Sequence, residues 1–372
     1  MTRSPFWGSF AATASSNRTM LDLGIAVFGL PLGSLVNVIR RWSRDRVGVA
    51  VVFHRIGDPQ GNPAKEFVPA RGTRLFESQL RHLKRGYRLV KASELLDACQ
   101  TRRLGQRIPL AITFDDDLPS HAAVALPILE KAGIPATFFL CGASLDGPFA
   151  FWWERLQVAL DQGTLEDVAP RLATAVSTAD SEGFGIIYRL LSAVEAMTPD
   201  EREQLSEHLR CQIALAPDTA CMGADDVRAI ADAGHEIGFH TRRHEPLPTL
   251  ADNLLSAAVT HGKSELEEIA GQRITAIAYP QGKADSRTAR VARSAGYRFG
   301  YMGSGRPVDQ DSDPLLLGRI EPSFKSAGHL SLRLAQMLLS SRRGDDGDTP
   351  PGARATCEQF TALPTSALSD RR

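Results

Sequence analysis

The sequence predicts an α/β protein, a distorted and partly open (β/α)7-type barrel carrying a helical insertion. Three observations lead there. Apolar runs of strand length, such as Val47–Phe53 and Leu110–Phe114, alternate with stretches of helical spacing. Two of these runs stop at polar residues, at His54 and at the trio Asp115, Asp116 and Asp117. A strand ending in charged groups is how a β/α protein delivers chemistry to its mouth. Counting strand–helix pairs gives about seven, too few for the eight-stranded barrel.

The elements follow in order. Val47–Phe53 is continuously apolar, as expected of a buried parallel strand. Gly57–Pro69 has loop composition. Residues 74–84 show helical spacing through Leu75, Phe76, Leu80 and Leu83, with Gly86 as the stop. A short strand at 87–90 and a short helix at 92–99 precede the strand Leu110–Phe114. A helix over 121–132 ends at Gly133, and Ala136–Cys141 is the next strand. Strand, helix, strand in this order implies right-handed parallel crossovers. Residues 147–222 then change character and read as helices at 151–160, 165–176, 184–197 and 199–214. Thr198 and Glu201 form a capping box before the last of these. The α/β pattern resumes with a helix at 224–233, a strand at 236–239 and one long helix at 251–270. Further strands are expected at 274–279, 299–302 and 315–320, with helices at 286–295 and 330–339. The composition beyond Ser341 predicts a disordered tail over 341–372.

With 372 residues the chain can form one large domain with an insertion, or two domains. We read 1–46 as an N-terminal helical segment and 47–340 as one domain, with the insertion at about 147–222. Leu21–Ile39 is apolar and is followed by Arg40, Arg41, Arg44 and Arg46. It is barely long enough to cross a bilayer, so a helix packed on the domain, peripheral membrane contact and a true span or signal all remain open. Lys plus Arg and Asp plus Glu both total 43, so charge offers no argument for a nucleic-acid partner. The five cysteines are scattered without a Cys-x-x-Cys pair, which suits a reducing compartment. The expected location is therefore the cytoplasm or the cytoplasmic face of the inner membrane, with the periplasm or cell envelope as the alternative.

Asp115 and Asp116 could be solvated loop acids or a helix N-cap. Three adjacent acids nevertheless repel one another unless a cation or base sits among them. His240 and His244, with three residues between them, could face one ion from a turn or tight loop. His235 lies five positions before His240, which is not the zincin spacing, so His235 and Glu236 read as structural.

Several segments together resemble the polysaccharide deacetylase family, carbohydrate esterase family 4. They are Thr113-Phe114-Asp115-Asp116, Leu126-Pro127-Ile128-Leu129, Gly133 through Leu140, Gly234 through His244, and Ala278-Tyr279-Pro280-Gln281-Gly282. The resemblance covers roughly 47–142 and 223–325. It implies that 47–340 is a catalytic domain acting on a polysaccharide or oligosaccharide. It also implies that Asp115 is the base, that Asp116, His240 and His244 hold a divalent metal, usually Zn2+, and that the backbone N–H at Gln281 meets the oxyanion. The expected reaction is removal of N-acetyl groups from N-acetylhexosamine units of a bacterial polysaccharide or its precursor. O-acetyl ester hydrolysis and a weakly active carbohydrate-binding pseudoenzyme are the alternatives.

The chain departs from the family pattern in places. Asp117 stands where the family has glycine, and Ala278 where it has the arginine that orients the base. Arg319 could substitute for that arginine, or could be a surface residue. The histidine that ends the family's last motif, its general acid, is missing. Phe53-His54-Arg55-Ile56 resembles a strand end in an exopolysaccharide branch, which suggests His54 for that role; a solvated strand-end histidine is the alternative, and His121 is a weaker candidate. Phe149, Phe151, Trp152 and Trp153 could stack on sugar or form the insertion's own core.

Overall fold

The structure is a computed structural model and describes residues 8–58, 66–170, 172, 184–215 and 219–340. Its strands are β1 (Val47–Phe53), β2 (Arg88–Val90), β3 (Pro109–Asp115), β4 (Thr137–Leu140), β5 (Glu236–Phe239), β6 (Ala276–Ala278), β7 (Phe299–Met302), β8 (Val308–Asp309) and β9 (Leu317–Gly318). They form one sheet in the order β8-β1-β3-β4-β5-β6-β7-β9, with β2 paired to β3. Strands β1, β3, β4, β5, β6, β7 and β9 run parallel around the barrel, β2 adds a further parallel strand beside β3, and β8 is antiparallel on β1. The sheet curls into a nearly closed barrel with one seam between its ends. Past β9 the chain reaches back across that seam: Ile320 N–H donates to Ala50 O at 3.0 Å and Val52 N–H donates to Ile320 O at 2.9 Å.

Alternation along the strands sorts the side chains. Val49, Val51 and Phe53 of β1 and Leu110, Ile112 and Phe114 of β3 join the large core between sheet and outer helices. Their neighbours Ala50 and Ala111 join Phe139, Ala276, Ala278, Tyr301 and Leu317 in a separate cluster on the other face. Continuing the inward sets past the strand ends brings His54, Asp115, His240 and Arg319 to one mouth. Gly238 belongs to this inner set because a Cβ there would lie 2.4 Å from the Phe139 ring.

Helices α1 (Gly8–Arg41), α2 (Thr73–Gly86), α3 (Ala92–Gln100), α4 (Leu126–Ala132), α5 (Trp152–Gln162), α6 (Leu165–Val168), α7 (Phe184–Glu195), α8 (Pro199–Gln212), α9 (Ala224–Asp232), α10 (Asp252–Ala258), α11 (Lys263–Ala270), α12 (Ser286–Ser294) and α13 (Ala327–Ser340) complete the fold. Between Cys141 and His235 the described residues contain helices and no strand, with a core of their own around Phe151, Trp153, Leu156 and Leu190. The capping box holds: Thr198 Oγ1 accepts from Glu201 N–H at 3.3 Å, and the Glu201 carboxylate accepts from Thr198 N–H at 2.8 Å.

Some expectations are corrected. The long helix at 251–270 is two helices, α10 and α11, because the chain turns at Gly262 with φ 82°. The helix at 121–132 opens as a π-type turn over His121–Ala125. The strands expected at 274–279 and 315–320 are shorter, and β8 was not anticipated. The tail at 341–372 and the end of the helix expected at 165–176 lie outside the described residues.

Candidate active site

Three loops leaving β3, β5 and β6 build the mouth. Among the described residues, the non-glycine residues with positive φ are Asp116 (67°), Thr241 (54°), His244 (51°) and Gln281 (59°), and all lie in these loops. Each such conformation costs about 1–3 kcal/mol and persists where the surroundings impose it. Asp117 shows how it is imposed here. Its buried carboxylate accepts from Cys141 N–H at 2.7 Å and Ala143 N–H at 2.9 Å, while Met222 N–H donates to its backbone oxygen at 2.8 Å. It thereby ties the β3 turn to the loop after β4 and to the end of the helical stretch. Burial pushes the Asp117 carboxyl up to about 6 despite those donors.

The left-handed turn aims Asp116 at the two histidines. Its Oδ1 lies 3.5 Å from His240 Nε2 and 3.6 Å from His244 Nε2. That oxygen is buried and has no hydrogen-bond partner. The His240 Nδ1–H donates to Ala278 O at 2.9 Å, which turns the Nε2 lone pair toward Asp116. Burial outweighs the neighbouring carboxylates and lowers both imidazoles to about 4, so both are neutral near pH 7. A carboxylate oxygen and two imidazole nitrogens thus converge within 4.8 Å of one another. An orphaned buried acceptor facing two neutral nitrogens is a donor set that suits a divalent cation.

Asp115 faces the same space from the other side, with Oδ2 3.9 Å from His240 Nε2. Arg319 grips it with two bonds, Nη1–H to Oδ1 and Nη2–H to Oδ2, both at 2.6 Å. Arg319 is buried, lies 5.3 Å over the Phe139 ring and donates also to Thr113 Oγ1 at 3.2 Å. Burial alone would raise the Asp115 carboxyl, but the guanidinium and the nearby imidazoles hold it well below the usual carboxylate range. Such a bidentate pair fixes both the charge and the orientation of the carboxylate.

His54, at the end of β1, is partly exposed and stands 3.7 Å from Glu321 through Nδ1 and Oε1. Burial pulls its pKa down, yet Glu321 overrides this and raises it to about 9. His121 is a different case. It is fully buried against Phe114 and Phe138, its Nε2–H donates to His54 O at 3.3 Å, and burial lowers it to about 3. It does not reach the cavity lining. His235 and Glu236 are structural: His235 Nδ1 accepts from Ala136 N–H, and Glu236 accepts from Thr137 Oγ1–H.

Asp115, Asp116, His240, His244, His54, Gln281, Arg319 and Glu321 all line one cavity of about 1130 Å3. Phe149, Phe151, Trp152 and Trp153 line it too. Phe151 and Trp153 stack at 4.3 Å within the helical stretch's core, and the Trp153 ring lies 5.0 Å from His244. These aromatics are therefore core and wall at once, and they hold a histidine in place.

Glu321 and Arg71 were not anticipated. Arg71 is buried far from the mouth in sequence and donates to Pro322 O at 2.8 Å and Ser323 O at 2.7 Å, pinning the loop that carries Glu321. The signal for Glu321 was present: in Leu317-Gly318-Arg319-Ile320-Glu321 the alternation that turns Arg319 inward also turns Glu321 inward.

A near-closed parallel barrel with a cation-ready Asp/His/His cluster beside an arginine-held carboxylate defines a hydrolase-type mouth. A family profile described as polysaccharide deacetylase matches residues 105–179 and 192–300, which include Asp115, Asp116, His240, His244 and Gln281. The chain belongs to the polysaccharide deacetylase family. The match includes neither His54 nor Arg319 and Glu321. No protein of curated function matches the chain. Among solved structures it is similar to the deacetylase PplD of Streptococcus pyogenes in complex with acetate, at 17% identity and TM-score 0.52, covering 78% of this chain and 98% of that one. It is also similar to IcaB from Ammonifex degensii, at 18% identity and TM-score 0.50, covering 77% and 97%. A polysaccharide deacetylase from Bacillus cereus aligns at 16% identity and TM-score 0.50, covering 80% and 70%. At these identities the likeness shows the shared fold.

Proposed function

We propose that the protein is a metal-dependent N-deacetylase that removes acetyl groups from N-acetylhexosamine units of a bacterial polysaccharide or its precursor. The observation that carries the reading is the unpartnered Asp116 Oδ1 facing the Nε2 atoms of His240 and His244. Those three side chains would hold a divalent cation, most readily zinc, which when bound supplies Lewis-acid activation of water and of the acetyl carbonyl.

The remaining chemistry belongs to the chain. Asp115, kept ionised by Arg319, accepts a proton from the attacking water. Gln281, in a left-handed turn on the cavity wall, would offer its backbone N–H to the oxygen that gains charge. His54, kept protonated by Glu321, donates to the departing nitrogen as the C–N bond breaks, leaving acetate and a free amine. An amine leaves poorly unless protonated, so a histidine that stays cationic near neutral pH favours an amide over an ester substrate. The cavity of about 1130 Å3 with its aromatic wall has room for more than one sugar ring.

The test is acetate release from N-acetylated oligosaccharides, with O-acetylated ones in parallel, by the metal-loaded full chain and by Asp115→Asn. Release from the N-acetylated set that is lost in the variant is expected. Release from esters only would favour esterase action, and metal binding without any release would favour a carbohydrate-binding role.

A further inference from the structure

Helix α1 is divided lengthwise. One side is fastened to the domain. Asp22 accepts from Lys325 Nζ–H at 2.7 Å, Asn37 and Arg41 donate to Gly86 O, and Arg40 pairs with Asp45. Against α13 the backbones touch: a Cβ on Gly29 would lie 2.5 Å from Gly328 O, and one on Gly33 2.3 Å from Ser331 Oγ. The opposite side carries Leu23, Val27, Phe28, Leu32, Leu35 and Ile39, each between 51% and 68% exposed. No charged residue stands between Asp22 and Arg40. The stripe therefore runs about 25 Å along the helix with nothing ionic on it. A continuous apolar face of that length marks an interaction surface.

Its C-terminal end supplies the complement. Trp42 is 67% exposed and its ring stands beside Gly105, while Leu104 is 55% exposed. Gly105 N–H donates to Arg41 O at 2.9 Å, and the buried Arg102 donates to Arg41 O and Ser43 O, so the 101–107 loop is stapled to the helix end. Around Trp42 and Leu104 the exposed cations are Arg44, Arg46, Arg103 and Arg107. An apolar stripe ending in tryptophan and a collar of arginines is matched by an acyl boundary edged with anionic phosphates. A second copy docked parallel through the same stripe would set the same arginines against one another, with Asp45 already paired to Arg40.

We propose that the exposed side of α1 lies in the surface of an anionic bilayer, holding the whole domain on the membrane without spanning it. By length and composition Asp22–Arg41 could cross a bilayer. Its other side is, however, part of the domain's packing, and a crossing would tear Asp22, Gly29, Gly33 and Asn37 from their partners. The helix lies flat because the domain grips it from Asp22 to Arg41.

The experiment is flotation of the full chain with vesicles of phosphatidylcholine alone and of phosphatidylcholine with one-third phosphatidylglycerol. The protein should float with the anionic vesicles and be stripped by an alkaline wash. Phe28→Glu with Leu35→Glu should reduce flotation on the order of tenfold or more, since both side chains point to solvent and the stripe supplies the buried area. Arg44→Ser with Arg103→Ser should remove the preference for anionic vesicles. Thermal melting of both variants near the parent value excludes misfolding as the cause. Failure of the parent to float, undiminished flotation of the glutamate variant, or retention after the wash would each overturn the proposal. So would a parent dimer without lipid that the glutamate variant dissociates.

Discussion

Replacing Glu321 by glutamine tests the proposed acid directly. Glu321 holds His54 at about 9, against an ordinary value of 6.5. At pH 7.5 that makes His54 about 97% protonated; at its ordinary value it would be only about 9%. Without Glu321 burial pulls the imidazole to that ordinary value or below, so acetate release should fall at least about tenfold at pH 7.5 in Glu321→Gln, and at least about seventyfold at pH 8.5. The difference should shrink as pH falls, because the variant's imidazole regains its proton only toward acid pH. The alkaline limb of kcat moves down by more than two pH units while the acid limb stays. A uniform loss at every pH, or an alkaline limb left near 9, would refute the assignment of His54 as the acid. The same ion pair bears on stability. Because the folded-state value lies above the unfolded one, its contribution is complete below about pH 6.5 and disappears as pH rises through about 9.

Three further outcomes follow from the site. Arg319→Ala leaves the buried Asp115 without its partner and should destabilise the fold by about 3–5 kcal/mol, read by denaturant melting, with acetate release lost; an unchanged midpoint would contradict the burial argument. Trp153→Ala opens space beside His244 and should weaken zinc binding about 10–100-fold by isothermal titration, since a ligand's packing partner orients it; unchanged affinity would assign the aromatic wall to sugar contact alone. The metal-free protein should lose stability as pH falls from about 6.5, because His240 and His244 stay neutral in the fold down to about 4 while the unfolded chain takes up protons. Thermal melting that is flat from pH 6.5 to 4.5 would contradict the buried, neutral histidines.

Much of the barrel was legible because parallel strands buried on both faces read as unbroken apolar runs, as β1 and β3 do. The acid pair was visible for the same reason, an apolar run that stops at carboxylates. Strand β8 is two residues long, too short for any periodicity to register, and the break at Gly262 is a local turn inside otherwise continuous helical spacing. Glu321 escaped notice because it lies past a strand only two residues long and its partner, His54, is far away in sequence; only the closing of the barrel makes them neighbours. The role of Asp117 was hidden similarly. At the place of the family's glycine it looked like a disturbance, whereas its carboxylate accepts the backbone donors that hold the turn in its left-handed form. The aromatic cluster at 149–153 was legible as core, but its contact with His244 depends on how the helical stretch folds back over the mouth.

The most direct measurement is the metal content of the full chain by mass spectrometry after chelation and reloading with zinc. The account predicts about one ion per chain, lost in Asp116→Asn and in His240→Ala and retained in Asp115→Asn, because only the first two variants remove a converging donor. No ion on the parent protein, or full occupancy in the two ligand variants, would contradict it.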